Sequence, residues 1–353
     1  MRNCEKEEKI YLNPVGLLNY SRYQKINKYK SYKKTSLFNS CYMNSSIQCL
    51  FRIDEFVNKI IKYDEGSLVL ATKKLIYDMQ EHNNNYRNQC SVLDIKNAMG
   101  EKDEKYYDEF QEDANEFITN YLNYLIEETK DSVNIDWICK KSDEEFFKKF
   151  HQKFFKRNGT SFIIDLFYGV FRTEDYCKKC KYTFNIKFSS FNILELPISE
   201  NNSFEEDKPL NMQDLIQNFI SEKDHKGMIC PNCRETIKIK TVLNTLPKCL
   251  IIYFNRDNYQ DFINKINILK TINMKDFVYD TSLMKDDNYY YHLKGIIFYS
   301  KLSKNLGHYK AVCFVNSENG EKWCYFDDND VKTDKNLLRI YDNQNPFLLF
   351  YEK

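Results

Sequence analysis

A cysteine at position 41 follows the polar run Thr35-Ser36-Leu37-Phe38-Asn39-Ser40 and opens the segment Cys41-Tyr42-Met43-Asn44-Ser45-Ser46-Ile47-Gln48-Cys49-Leu50. A polar stretch that turns into a helix at a cysteine puts the thiol beside unpaired backbone N–H groups and the positive end of a helix dipole, and both favour the thiolate. A thiolate needs a base to take its proton and an acidic group to hold that base. Far downstream, Gly307-His308-Tyr309 is followed by Trp323-Cys324-Tyr325-Phe326-Asp327-Asp328, which offers His308 and Asp327 in that order. The two segments read as one site for nucleophilic catalysis, with Asp328 as runner-up to Asp327 or as a supporting polar group. A free cysteine is more often a small buried hydrophobe, and that is the reading for Cys49, more than two helical turns beyond Cys41.

A second group of residues suits a metal. Cys177-Lys178-Lys179-Cys180 and Cys230-Pro231-Asn232-Cys233 form a four-cysteine set whose spacing fits one tetrahedral structural zinc ion. Redox chemistry at a Cys-x-x-Cys pair would want a thioredoxin-like context instead. No catalytic cofactor is expected.

The elements that must position these groups change character along the chain. Residues 1–34 are polar with no sustained period and read as an N-terminal leader. Its cluster Arg22, Lys25, Lys28, Lys30, Lys33, Lys34 is interleaved with tyrosines and serines, as on a solvated surface. From Cys41 onward, Ile47, Leu50, Phe51, Phe56, Val57, Ile60 and Ile61 recur at helical spacing. The set Phe110, Ala114, Phe117, Ile118, Tyr121, Leu122, Leu125, Ile126 forms a second stripe, and 68–80 reads as a further helix. After about residue 160 the pattern turns to short β-rich runs at 163–171, 184–196 and 237–243, then at 250–254, 293–299, 309–315, 323–326 and 347–351. Helices first and strands later imply an α+β protein with its site between a helical and a sheet lobe. The polar stretches 199–209 and 257–287 read as long surface loops.

At 353 residues the chain is long enough for a substantial core, and its net charge of +1 advertises no nucleic-acid partner. No stretch approaches the length of a membrane span, and the first residues lack the apolar region of a secretory signal, so no membrane partner is expected. Twelve cysteines, several of them in metal-type pairs, fit a reducing compartment and a cytoplasmic or nuclear location.

The residues from Cys41 to Leu50 and from Gly307 to Asp328 resemble the Cys box and His box of the ubiquitin-specific protease family. Gln111-Glu112-Asp113-Ala114-Asn115-Glu116-Phe117, the two Cys-x-x-Cys pairs, Leu246-Pro247-Lys248-Cys249-Leu250-Ile251-Ile252 and Phe347-Leu348-Leu349-Phe350-Tyr351 fall in family order. The resemblance implies a papain-like catalytic domain over 35–353, with a helical thumb at about 35–162, zinc-bearing fingers at about 163–248 and a sheet palm at about 249–353. It implies a deubiquitinating thiol hydrolase that cleaves isopeptide or peptide bonds after the terminal glycine of ubiquitin, acting on ubiquitin or ubiquitinated proteins. An activating or targeting partner is possible. Cys41 would be the nucleophile, His308 the base and Asp327 the third member, with a thioester intermediate. Ubiquitin's tail, Leu-Arg-Leu-Arg-Gly-Gly, is cationic, and by resemblance Asp113 and Glu116 would meet its arginines with Gln111 nearby; a solvated helix start is the plainer alternative for this acidic stretch. The family commonly places an oxyanion-hole Asn five residues before the nucleophile. An ungapped reading puts Ser36 there, and a shorter loop would bring Asn39 into that role. Two rival functions follow: a weak or inactive ubiquitin-binding scaffold, and a protease for another ubiquitin-like modifier.

Overall fold

A computed structural model describes residues 10–19, 39–81, 90–131, 145–198, 209–256, 266–279, 288–303, 306–317, 320–334 and 345–353. The chain divides into two compact units, one of residues 1–129 and 294–350, the other of 130–293 and 351–353. Helices and sheet are both present in the α+β combination expected from the sequence.

In the first unit the helices are α1 (Cys41–Leu50), α2 (Asp54–Ile60), α3 (Ser67–Glu81), α4 (Leu93–Lys102) and α5 (Ala114–Thr129). Every residue of α1 is buried, so this helix runs through the core with no solvent face. The apolar spacing that continues to residue 61 belongs to two helices. Phe51, Arg52 and Ile53 close α1, with Arg52 N–H on the Cys49 carbonyl at 3.2 Å and Ile53 N–H on the Leu50 carbonyl at 3.2 Å. Asp54 and Glu55 then favour a fresh N-terminus. The stripe expected on α5 is buried from Ala114 to Ile126, but Phe110 lies outside the helix and is 74% exposed.

Part of the expected leader belongs to the packed body. Leu12, Val15 and Leu17 are buried, and the buried side chains of α1 and the turn after it reach their carbonyls. Gln48 Nε2 donates to Val15 O at 2.6 Å and Arg52 Nη1 to Leu12 O at 3.0 Å. Three apolar residues in six positions are too few to show a period, which is why this strap looks structureless in sequence. Residues 1–9 and 20–38 lie outside the described residues.

The second unit contains α6 (Glu145–Asn158), α7 (Phe162–Phe167), β1 (Gly169–Cys177), β2 (Tyr182–Phe191), β3 (Ile193–Pro197), β4 (Leu210–Asn211), α8 (Met212–Phe219), β5 (Lys223–Ile229), β6 (Thr236–Thr245), β7 (Cys249–Asn255), β8 (Ile266–Asn267) and β9 (Thr271–Asn273). An antiparallel sheet in the order β2-β1-β6-β5 carries both cysteine pairs, while β3 runs parallel to β7. The run 163–171 is not one strand. Its first half is helix α7, capped by Ser161 Oγ accepting from Ile163 N–H at 3.2 Å; a short continuous apolar run cannot distinguish a buried helix from a buried strand. The loop expected at 257–287 contains β8 and β9, while 199–208, 257–265 and 280–287 fall outside the described residues.

The sheet of the first unit is built from β10 (Tyr290–Ser303), β11 (Leu306–Ser317), β12 (Gly320–Asp327), β13 (Asp330–Thr333) and β14 (Pro346–Glu352), in the order β13-β12-β11-β10-β14. Helix α1 packs on β11 and β12. Cys49 sits 3.6 Å, sulfur to sulfur, from Cys313 of β11. It is a core residue as expected, and Gly295 on β10 makes room for it, since a Cβ there would come within 2.8 Å of its sulfur.

Candidate active site

The nucleophile candidate stands on the first residue of a fully buried helix. Asn39 takes a left-handed backbone (φ 57°), a conformation asparagine tolerates, and turns the chain into α1. The first helical bond runs from Asn44 N–H to the Ser40 carbonyl at 2.9 Å. The N–H groups of the first turn, that of Cys41 among them, have no partner within the helix. Ser40 does not cap the helix with its own side chain. Its N–H and hydroxyl instead both donate to Oδ1 of Asn19, at 2.7 and 2.9 Å. A side chain from the strap therefore holds the residue that introduces Cys41.

His308 lies near the start of β11. Its Nε2 is 2.6 Å from Oδ1 of Asp327 at the end of β12, which leaves Nδ1 for the Cys41 thiol. The imidazole pKa is pushed up to about 9, first by its hydrogen bond with Cys41, against the opposing effect of burial, and then by Asp327. Burial also works against the charged form of Asp327, but hydrogen bonds from His308, Lys310 and Tyr325 hold its carboxyl below the ordinary range. Lys310 Nζ is 2.9 Å and Tyr325 hydroxyl 3.0 Å from the second oxygen of Asp327. The carboxylate is thus fixed from both sides and presents one oxygen to the imidazole.

Asp328 does a different job. It occupies the two-residue turn between β12 and β13 with a left-handed backbone (φ 52°). Its side chain accepts from Asn44 Nδ2 at 2.8 Å and from Asn19 Nδ2 at 2.7 Å, and its carbonyl accepts from Leu17 N–H at 2.9 Å. Burial raises its pKa, with the two amides working in the opposite direction. Gly16 allows this close approach, because a Cβ would meet the Asn329 carbonyl oxygen at 2.3 Å. Asp328 therefore ties the strap, α1 and the sheet turn together beside the site.

The acidic stretch before α5 is brought to the same place. Gln111 Nε2 donates to Cys41 Sγ at 3.0 Å and to the Gly307 carbonyl at 2.7 Å, and its Oε1 accepts from Gly307 N–H at 2.9 Å. Asp113 is the N-cap of α5, accepting from Asn115 N–H at 2.7 Å and Glu116 N–H at 3.0 Å, and burial raises its pKa. Glu116 stays about half exposed and pairs with Lys105 at 2.5 Å. Asn39 donates its side-chain N–H to the Glu109 carbonyl at 2.8 Å, so its amide is committed to the acidic loop. Ser36 lies outside the described residues. Asn19, Asn44, Lys310 and Tyr325 were not singled out from sequence. For Asn19 the available signal is the segment Gly16-Leu17-Leu18-Asn19, where an apolar pair ends just before the basic stretch begins.

The four cysteines of the second unit also converge, with all four sulfurs within 4.8 Å of one another. Cys177 and Cys233 are 3.5 Å apart and Cys180 and Cys230 3.8 Å, close to the edge of about 3.8 Å of a tetrahedron with zinc–sulfur bonds of about 2.3 Å. Each pair is followed by a left-handed residue, Lys181 (φ 54°) and Arg234 (φ 64°), which turns the knuckle back into its strand. The cluster fits a zinc ion.

Comparison with known proteins bears on the family and the fold. The family profile described as ubiquitin carboxyl-terminal hydrolase matches residues 33–351. Ubiquitin carboxyl-terminal hydrolase 4 of Eremothecium gossypii is 23% identical over 89% of this chain and 42% of its own length. Ubiquitin carboxyl-terminal hydrolase Usp2 of Drosophila melanogaster is 26% identical over 89% of the chain and 34% of its own length. The chain spans less than half the length of these curated relatives. Among solved structures, the Ubp8 subunit of a SAGA DUB module bound to monoubiquitin superposes with a TM-score of 0.69 at 17% identity, covering 96% of this chain and 68% of that one; a likeness at that identity concerns the fold. With a profile match over nearly the whole chain, the chain belongs to the ubiquitin carboxyl-terminal hydrolase family.

Proposed function

We propose that this chain is a thiol hydrolase that cleaves isopeptide or peptide bonds after the C-terminal glycine of ubiquitin. The observation that carries this reading is the hydrogen-bonded series Cys41, His308, Asp327 on a buried helix and two adjoining strands. Cys41 attacks the glycine carbonyl as a thiolate paired with the His308 imidazolium. His308 gives its proton to the departing amine, then takes one from the water that releases the thioester. Asp327 holds the ring through Nε2 and is kept ionised by Lys310 and Tyr325.

For the oxyanion, the backbone N–H of Cys41 is one donor. The side-chain role that the sequence leaves between Ser36 and Asn39 falls in this scheme to Asn19. Its amide engages Ser40 and Asp328, and the second hydrogen of Nδ2 would donate to an oxygen on the reacting carbon. Asp113 and Glu116 meet the cationic tail of ubiquitin, which requires Glu116 to exchange Lys105 for a tail arginine. One zinc ion held by Cys177, Cys180, Cys230 and Cys233 closes the knuckles as a purely structural group.

Ubiquitin as substrate is supported by the family and by solved relatives bound to monoubiquitin and to ubiquitin aldehyde. Those relatives are also assembled with other subunits, so a partner that activates or targets this chain fits the reading. The test is reaction with a ubiquitin probe bearing a C-terminal electrophile. A single adduct at Cys41 is expected. No adduct with ubiquitin, beside one with a probe built on another ubiquitin-like modifier, would transfer the chemistry to that substrate.

A further inference from the structure

We propose that Gln111 is a catalytic residue: its side-chain N–H supports the Cys41 sulfur as thiolate, in attack and again in departure, while its amide ties that sulfur to the peptide group beside the base. This rests on the thiol-hydrolase reading above, in which resemblance alone would make Gln111 part of the grip on the substrate tail.

The orientation of the amide is dictated by the backbone. Gln111 makes two opposite bonds to a single residue, Nε2 to the Gly307 carbonyl at 2.7 Å and Oε1 from the Gly307 N–H at 2.9 Å. A flipped amide would set oxygen against carbonyl and N–H against N–H, so the group facing sulfur at 3.0 Å is a donor. The two hydrogens of Nε2 are thereby assigned, one to Gly307 and one to Cys41. Gly307 has little room to retreat, since a Cβ at this position would meet the Tyr299 ring at 2.2 Å, and it immediately precedes His308.

The loop that carries Gln111 is held at several points. Lys96, fully buried, donates from Nζ to the Asp108 carbonyl at 2.9 Å. Asn39 donates to the Glu109 carbonyl at 2.8 Å, and Asp113 caps α5. A side chain reserved for a substrate tail would project outward, as Phe110 beside it does at 74% exposure. Gln111 is instead turned inward onto the reacting atom.

The chemistry assigns that N–H a task at two moments. When sulfur attacks, the S–C bond forms and the carbonyl electron pair moves to oxygen. When water has added and His308 has taken its proton, the C–S bond breaks and the electron pair returns to sulfur. A hydrogen bond to sulfur is strong when sulfur is charged and weak in the thioester, so it favours the thiolate as nucleophile and as leaving group.

The groups facing Cys41 are His308, with Asp327 and Asp328 behind it, Tyr299 on β10, Tyr309 on β11 and Tyr42 on α1, which also feels Glu112. All three tyrosines are raised above the ordinary phenol range and stay neutral near neutral pH. A titration near pH 9 therefore belongs to the His308 imidazole.

The experiment uses the full chain with Gln111→Ala and the isosteric Gln111→Glu. Cys41 alkylation by iodoacetamide is followed from about pH 4 to 10, and hydrolysis of a ubiquitin–fluorophore is measured alongside. The midpoint at which alkylation sets in should rise by about one pH unit in Gln111→Ala and further in Gln111→Glu, whose carboxylate faces the thiolate. Turnover should fall on the order of 10²-fold with a Michaelis constant nearly unchanged. An unmoved alkylation midpoint overturns the proposal whatever turnover does. So does a raised Michaelis constant at full turnover, which returns Gln111 to the tail grip, or a faster variant, which makes the contact a closed latch. Alkylation needs no ubiquitin, so a wrong substrate assignment leaves this readout intact.

Discussion

Asn19 accepts the backbone N–H of Ser40 at 2.7 Å across 21 positions of sequence, so the residue that introduces the nucleophile is held by a strap that precedes a long basic stretch. The same amide reaches Asp328, and Asp328 reaches Asn44 on α1. Asn19→Ala should therefore lower turnover of a ubiquitin–fluorophore by about 10²-fold or more. It should also cost about 1–3 kcal/mol of stability by leaving buried partners unpaired. Asn39→Ala should act mildly, through the Glu109 carbonyl, and Ser36→Asn should be silent. Turnover unchanged in Asn19→Ala but lost in Ser36→Ala or Asn39→Ala would return the oxyanion donor to the segment just before Cys41.

Replacing the nucleophile separates chemistry from binding. Cys41→Ala should abolish hydrolysis while ubiquitin binding, measured by calorimetry, stays close to that of the unmodified chain, because the thiol contributes little contact surface. Residual turnover above background would mean another group makes the covalent bond.

The imidazolium of His308 is stabilised by Cys41 and Asp327, with a pKa of about 9. A raised histidine pKa keeps the proton through neutral pH and loses it as pH climbs through the shifted value, so kcat/KM should fall on an alkaline limb near pH 9. Asp327→Asn removes one source of the shift and should move that limb downward. Lys310→Met should lower activity through a less firmly held Asp327. An alkaline limb that stays in place in Asp327→Asn would disconnect the carboxylate from the base.

Asp113 and Glu116 are separable by stability. Both alanine variants should raise the Michaelis constant more than they lower turnover, since a grip on the substrate tail acts in ground and transition states alike. Only Asp113→Ala should also destabilise the fold, by about 1 kcal/mol, because it removes the cap of α5. Unchanged kinetics in both would leave the acidic stretch as a solvated helix start.

Metal analysis of the purified chain should find one zinc per molecule. Cys230→Ser should lose it and open the sheet β2-β1-β6-β5 to proteolysis, because a structural zinc site contributes its binding free energy to folding. Full protection in a metal-free preparation would make the four thiols a packing cluster.

The parts of this molecule that a linear reading could recover are those whose physics is local. A cysteine at the junction of a polar run and an apolar helix, a histidine between glycine and tyrosine, cysteine pairs with two residues between them, and amphipathic stripes such as Ala114 to Ile126 each announce themselves within a few residues. The order of helices and strands also followed from the change of apolar period. What the tertiary structure decided are relations between segments. Asn19 and Asp328 meet because Gly16 lets the strap lie against the turn after β12, and nothing in either segment alone specifies the other. Asn39 is drawn to Glu109 by the left-handed turn it makes. Gln111 faces sulfur because Gly307, 196 positions away, takes both ends of its amide. The run at 163–171 divided into helix and strand because a serine cap, not apolar period, chose its start. Hydrogen bonds between distant segments are set by packing geometry, which depends on every intervening element, and no spacing within one segment encodes it.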